Sequence, residues 1–391
     1  ACEIHLNDTG EVIRYEFYEA IMNSRARMTY SKVSEILENP VDRLNENITT
    51  LELSTVLHSL NRLCDLLLLR RKGRGAINFE PQETEMVLDS QGRIEEIRPV
   101  TRSRAHEIIE ESMLCANFCA AEYLQKRSIP TLYRVHLGPS EERLSSLREF
   151  LGGVGLSLSG GEYPTPFDYQ NVLVASKDRD DALIIQSVLL KSMSRACYQP
   201  NNEGHFGLNY SVYVHFTSPI RRYSDLLVHR AIKHALRVSM DVSKGSDFAM
   251  EKAEQFLKPS SLEDLGNLLS FTERRAEEAA RDVASWLKCE FLLDKIGKEV
   301  EGVVVGVQSF GLFILMDELF VEGLIHVKAL PRDYYYYEDK LQRLVGERSG
   351  QVFKLGQRIK AIVSRVDLQK RKIDLTLFRR KRGKKGKKSA N

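Results

Sequence analysis

At residue 298 the chain changes character, and that change confines it to two architectures in series. GKEVEGVVVGVQSFGLFILMDELFVEGLIHVKAL, starting at 298, is rich in β-branched residues and glycine, and after a polar, tyrosine-rich loop the pattern resumes in GQRIKAIVSRVDLQKRKIDLTLF. Branched and aromatic side chains at alternating positions suit a pleated, half-buried surface. Five short strands in about eighty residues fit a small closed β-barrel.

Ahead of residue 298 the dominant period is helical. MTYSKVSEILENP predicts a short helix closed by Pro40, and LELSTVLHSLNRLCDLLLLRRKGRG a long one ending at Gly73 and Gly75. SRAHEIIEESMLCANFCAAEYLQK is apolar at helical spacing over several turns, shorter helices follow from about 140 to 196, and SLEDLGNLLSFTERRAEEAARDVASWLKCEFLLDKI closes the region near 297. Strands are expected in ACEIHLNDTGEVIRYEFYEA, turning at Asn7 to Gly10, and in INFEPQETEMVLDSQGRIEEIRPV, turning at Asp89 to Gly92. The class is α+β, mostly helical with a mixed sheet, followed by an all-β barrel. Because the first sheet is already under way at Ala1, sequence is expected to precede it.

With 391 residues, 42% hydrophobic and 28% charged, the chain has the composition of a globular protein. No run of about 18 apolar residues occurs, since Asp65 and Arg70 interrupt the greasiest helix, so no membrane span is expected, and no signal peptide is evident. Six cysteines without a framework spacing suit a reducing cytoplasm, and Cys115 and Cys119, without a second pair or a nearby histidine, read as small core residues rather than zinc ligands. The formal net charge of +3 hides an asymmetry, because RRKRGKKGKK at 379–388 alone carries 8 positive charges. Residues 379–391 are therefore expected to be a disordered basic tail, either merely solvated or grasping a polyanion, for which nucleic acid is the commonest partner.

HFTSPIRRYSDLLVHR, residues 215–230, breaks a local rule. Ser218 is a good N-cap and Pro219 a good first helical residue, which puts Arg221 and Arg222 in the first turn. Cations there oppose the helix dipole by about 0.3–1 kcal/mol each, while the free backbone N–H groups invite an anion. A bound phosphate removes the conflict, with Asp225 one turn on to hold the Arg221 guanidinium and His229 at the same spacing again. The alternative is a buried structural ion pair between Arg221 and Asp225. In the barrel, Phe310 and Phe313 flank Gly311, with His326 on the next strand and Lys328 close behind. Exposed rings beside a basic groove stack the bases of single strands, at about 1–3 kcal/mol per base; equally, Phe313 fills the barrel core.

Two resemblances sharpen these readings. GxVxxVxxFGxFxxxxxxxxEGLIHxxxL followed by GQxxxxxVxxxDxxxxxxxLTL resembles the ribosomal S1 motif, an OB-fold RNA-binding domain, over residues 298–378. GHFGLNYSVYVHFTSPIRRYSDLLVHRAIKHAL, residues 204–236, resembles the signature of the RNase II / RNase R family of 3′-to-5′ exoribonucleases. FYEAIMNSRARMTYSKV, GAINFEPQE, HEIIEESMLCANFCAAEYL and ERRAEEAARDVASWLKCEFL match it as well. This implies an RNB-type catalytic domain over 1–297, single-stranded RNA as partner, and processive hydrolysis to nucleoside 5′-monophosphates by a cytoplasmic monomer. Arg221 matches the arginine at the scissile phosphate, placed to stabilise charge in the transition state. Tyr30 matches a tyrosine that packs on the last nucleotides, Phe79 a ring that clamps the 3′ bases, and Glu110 a carboxylate near the terminal ribose, where a 2′-hydroxyl distinguishes RNA from DNA. Ser218 and Arg222 belong to the same RNA-binding signature.

The family also uses two magnesium ions held by aspartates in the order D, five residues, D, one residue, DD. KDRDDAL imitates the end of that pattern with Asp178, Asp180 and Asp181, but Val172 stands where the first aspartate belongs, so the three read as helix-capping acids. The metal ligands and the family's cold-shock-like domains are expected upstream of Ala1, in a missing N-terminal part that is either a companion chain or unread sequence. On that expectation the chain alone binds RNA without cleaving it.

Overall fold

The computed structural model describes residues 1–38, 48–79, 84–179, 181–240, 259–339 and 341–378. Pro40, Asp180 and the basic tail from 379 lie outside them. Strands β1 (Cys2–Leu6) and β2 (Val12–Phe17) pair antiparallel, closed as expected at Asn7 to Gly10. The Asn7 side-chain oxygen accepts from the Thr9 and Glu11 amides at 3.0 and 2.8 Å, an Asx turn. Gly10 sits at φ +74°, and a Cβ there would come within 2.7 Å of the Leu66 carbonyl oxygen, so the turn packs directly on the next helix but one.

Helices α1 (Tyr30–Glu38) and α2 (Ile48–Arg74) follow, then the hairpin β3 (Thr84–Leu88) and β4 (Ile94–Pro99), turned by an Asp89 carboxylate that accepts from Gln91 and Arg93 amides. Helix α3 (Arg104–Lys126) is the spine of this half: Cys119, Ala120, Ala121 and Leu124 on its inner face have no exposure. They pack with Phe17 of β2, Leu67 of α2, Val212 and Val214 of the 211–222 segment, and Val228, Ala231 and Ile232 of α7 (Tyr223–Met240). Cys115 belongs to the same core, and all six thiols are free.

A second core gathers α4 (Glu141–Gly153), α5 (Pro166–Ser176) and α6 (Ala182–Ser192) around Leu147, Leu151, Tyr169 and Ile185. Two three-residue strands that sequence periodicity is too short to reveal, β5 (Tyr133–Val135) and β6 (Cys197–Gln199), pair antiparallel. Helix α8 (Pro259–Leu292) leads out, and its last turn delivers Cys289 and Leu292 into the barrel core beside Ile97 of β4. No helix among the described residues is long and apolar enough to cross a membrane.

The barrel is closed in the order β13-β14-β9-β8-β7, from β7 (Glu299–Gln308), β8 (Gly311–Met316), β9 (Val321–His326), β13 (Arg358–Asp367) and β14 (Lys372–Leu377). Alternation sorts its faces: Leu312, Ile314 and Met316 are fully buried, while Phe313 and Leu315 between them are not. The tyrosine-rich stretch, expected as a loop, is instead a small sheet of β10 (Tyr335–Glu338), β11 (Arg343–Gly346) and β12 (Val352–Lys354). One residue from each strand, Tyr335, Leu344 and Phe353, supplies the burial that holds it against the barrel.

Candidate nucleic-acid interface

Two buried polar side chains fix the 212–222 segment. Asn117, on the inner face of α3 and 2% exposed, accepts from the Phe216 and Thr217 amides at 2.9 and 3.2 Å and donates to the Tyr213 hydroxyl at 2.9 Å. Asp225, fully buried, accepts from the Ser218 amide at 2.7 Å, from Arg222 Nε and Nη2 at 2.8 Å each, and from the Ser224 hydroxyl at 3.0 Å. Its charge is met by a fork of two parallel N–H bonds, the strong form of carboxylate recognition.

This arrangement corrects two expectations. Ser218 is not the N-cap: its carbonyl accepts from the Arg221 and Arg222 amides at 3.3 and 3.0 Å, closing a separate turn, and α7 starts at Tyr223. The partner of Asp225 is consequently Arg222, three residues before it on the helix face, and not Arg221. Arg221 is exposed, and its side chain has no hydrogen bond or ion pair among the described residues. It stands at the end of a turn pinned from both sides.

Beside the turn, His215 is kept neutral, its imidazole pushed down to about 2 by burial and then by the charges of Arg222 and Arg134. The Tyr198 hydroxyl lies 2.8 Å from its Nδ1. His229 stacks on Phe216 at 4.3 Å and places Nε2 3.0 Å from the Phe216 carbonyl, so it braces the segment from α7. A row of rings, Phe118, Tyr210 and Tyr213, with centroids 5.0 and 5.7 Å apart, runs from His215 to a cavity of about 780 Å³. The cavity walls include Gly10, Arg74, Glu111, Phe118, His205 and Tyr210 but not Arg221. Nothing in the sequence pointed to it, because its lining comes from six separate stretches of chain.

Helix α3 also organises two of the residues singled out by sequence. The half-exposed ring of Tyr30 stacks on His106 with centroids 3.8 Å apart. One turn further, Glu110 is shared between Arg102 and Arg71, the latter 3.4 Å away, while the neighbouring buried Glu111 takes Arg71 at 2.6 Å. Phe79 lies elsewhere, half-buried against the α4–α6 core. In the barrel, Phe310 is 44% exposed and meets Phe313 edge-on at 6.0 Å. Gly311 pairs with His326 across β8 and β9, and His326 and Lys328 are both exposed. Phe313 therefore lies outside the barrel core, and these four side chains share one outer patch.

Of the three expected helix-capping aspartates, Asp180 lies outside the described residues, and Asp181 takes the N-cap position of α6 without a side-chain capping bond, because its carboxylate is turned to Arg179. Asp181 precedes α6, and its carboxylate is gripped by Arg179 at 2.7 and 2.8 Å, which holds it below its usual range; Val172 is buried. Among the described residues no group of three or more His, Cys, Asp or Glu is placed to share a metal ion, so the residues present do not fit a magnesium pair.

The chain thus joins a helical domain, which offers an exposed arginine without a bonding partner among the described residues, to a closed five-stranded barrel with an exposed aromatic and basic patch. The RNB domain family model matches residues 1–238 and the S1 RNA binding domain model residues 293–378. The chain belongs to the RNB family. It is 44% identical over 376 residues to Ribonuclease R of Vibrio cholerae, covering 96% of this chain and 45% of that protein. Identity to Ribonuclease R of Escherichia coli is 42% over 383 residues, with 96% and 46% covered. The solved structure of Mycoplasma genitalium RNase R in complex with ribose methylated single-stranded RNA superposes with a TM-score of 0.87 at 30% identity, covering 96% of this chain and 57% of that one. The chain thus spans about half the length of the curated relatives it matches.

Proposed function

We propose that this chain is the RNA-holding portion of a 3′-to-5′ exoribonuclease that hydrolyses single-stranded RNA processively to nucleoside 5′-monophosphates in the cytoplasm. One observation carries the reading: the exposed Arg221, whose side chain has no bonding partner among the described residues, stands at the end of a turn anchored by buried Asp225 and Asn117. A cation carried on an anchored turn and unpaired among the described residues is suited to a phosphate, and to the charge that develops on it in the transition state. Arg222 supports the turn through Asp225 rather than holding RNA itself, and the Ser218 backbone shapes the turn.

In this reading Tyr30 packs on the terminal nucleotides, Phe79 clamps bases, and Glu110 faces a ribose. Phe310, Phe313, His326 and Lys328 form a second contact for the strand. Residues 1–297 act as the catalytic domain, 298–378 as the S1 barrel and 379–391 as a basic arm. The magnesium ions that the family resemblance implies find no ligand group among the described residues, which favours binding without hydrolysis by these 391 residues alone. The test is to incubate the chain with a 3′-labelled single strand and magnesium. Tight binding with no shortening is expected, and Arg221→Ala should weaken the binding. Shortening that survives replacement of Asp178, Asp180 and Asp181 by alanine would show that a metal site lies within the chain after all.

A further inference from the structure

Asn117 is a polar side chain in an otherwise largely apolar stretch of the inner face of α3. Its neighbours on the inner face of α3, Leu114, Ala120, Ala121 and Leu124, are all buried and apolar, and burying an amide among them is unfavourable unless every polar atom is matched. It is matched, and all three of its bonds go to one segment: the Phe216 and Thr217 amides and the Tyr213 hydroxyl. None goes to α3's own surroundings. That segment has no strand partner at 216–217, so Asn117 supplies the acceptor that a neighbouring strand would otherwise offer. The next amide, Ser218, is held by Asp225, and the next two side chains along the turn after Pro219 are Ile220 and Arg221, both exposed.

We infer that Asn117 is a positioning residue for Arg221: through the 216–217 backbone it sets where the free guanidinium meets an RNA phosphate. The inference rests on the proposed phosphate contact of Arg221 and adds the device that aims it. Asp225 holds the Ser218 amide and His229 meets the Phe216 carbonyl, but the Phe216 and Thr217 amides have Asn117 as their acceptor; without it the backbone entering the turn loosens and the turn swings on the remaining contacts. An exposed arginine on a swinging turn contributes little, because its contact must first offset the entropy of ordering the backbone that carries it.

The test measures the salt dependence of affinity of the 391-residue chain for a 5′-fluorescent single-stranded oligoadenylate, by anisotropy without magnesium. Loss of one phosphate contact lowers the log–log slope by about 0.7, which is about a fivefold smaller loss of affinity per tenfold rise in salt. Arg221→Ala should show that change. Asn117→Ala should show the same change, and the double variant no more than either single one. Asn117→Asp, which keeps an oxygen for both amides, should retain the parental slope. If Arg221→Ala leaves the slope unaltered, the phosphate contact itself is wrong. If Arg221→Ala lowers it but Asn117→Ala does not, or the two changes add, Asn117 merely supports the fold and the inference is overturned. Should circular dichroism show Asn117→Ala unfolded, Asn117→Ser, whose hydroxyl is too short to reach both amides, takes its place against Asn117→Asp with the same two outcomes.

Discussion

Arg221 and Arg222 are adjacent in sequence, and the structure assigns them opposite energetic roles, so replacing each by alanine should give opposite phenotypes. The Arg222 side chain is 20% exposed and its partner Asp225 is fully buried. Removing one member of a buried pair leaves the other uncompensated, which costs about 3–5 kcal/mol. Arg222→Ala belongs at the lower end of that range, since Asp225 keeps the Ser218 amide and the Ser224 hydroxyl. Asp225→Ala belongs at the upper end, because it orphans the guanidinium, the amide and the hydroxyl together. With a urea slope of about 3 kcal/mol/M, a loss of about 3 kcal/mol moves the midpoint by roughly 1 M. Arg221→Ala has no side-chain bond to lose among the described residues and should leave the midpoint in place while weakening RNA binding. Urea titrations followed by circular dichroism, with binding measured well below each midpoint, separate the two. Equal midpoint shifts for Arg221→Ala and Arg222→Ala, or none for Asp225→Ala, would refute the assignment.

The barrel makes a similar distinction within one strand. Phe313→Ala should weaken single-strand binding by about 1–3 kcal/mol with little effect on stability, whereas Ile314→Ala, in the fully buried core, should destabilise the fold by about 2–5 kcal/mol; paired binding and unfolding curves test both, and a large destabilisation by Phe313→Ala would place that ring inside. Stability should also fall with acid. Burial pushes His205 down to about 3 and His215 to about 2, so these rings stay neutral in the folded state while the unfolded chain protonates them below about pH 6.5. Both contributions are complete above that pH and are lost as it falls toward the folded values, at about 1.4 kcal/mol per pH unit for each ring. Urea midpoints between pH 6.5 and 5, above the main carboxylate range, should drop with a slope that His205→Gln reduces; an unchanged slope in that variant would rule His205 out.

Features written in local chemistry are legible in the sequence. The Asn7 and Asp89 turns follow from side-chain oxygens that reach amides two and four residues on, and the barrel follows from alternation that the fold keeps strictly along β8. What was not legible depends on choices made at a distance. Asp225 lies three residues from Arg222 and four from Arg221, both spacings that share a helix face, and the decision came from where α7 begins, at Tyr223. The tyrosine-rich sheet escaped notice because each of its three short strands buries only one or two residues. Asn117 did leave a signal in the sequence, as the one amide among the buried residues of α3.

Why the chain tolerates two cations ahead of a helix can now be argued from the charges themselves. A positive group at a helix N-terminus is unfavourable by about 0.3–1 kcal/mol, and a carboxylate in the first turn is favourable by a similar amount. Asp225, in the first turn of α7, therefore offsets the dipole and neutralises Arg222 together, which leaves the site with one surplus cation, Arg221. Had Asp225 taken Arg221 instead, Arg222 would be the surplus charge, but at 20% exposure it would be a partly desolvated one with no ligand in reach of solvent. Pairing the more buried arginine and freeing the exposed one is the arrangement that costs least, and it is also the only one of the two that presents a guanidinium to a polyanion arriving from outside.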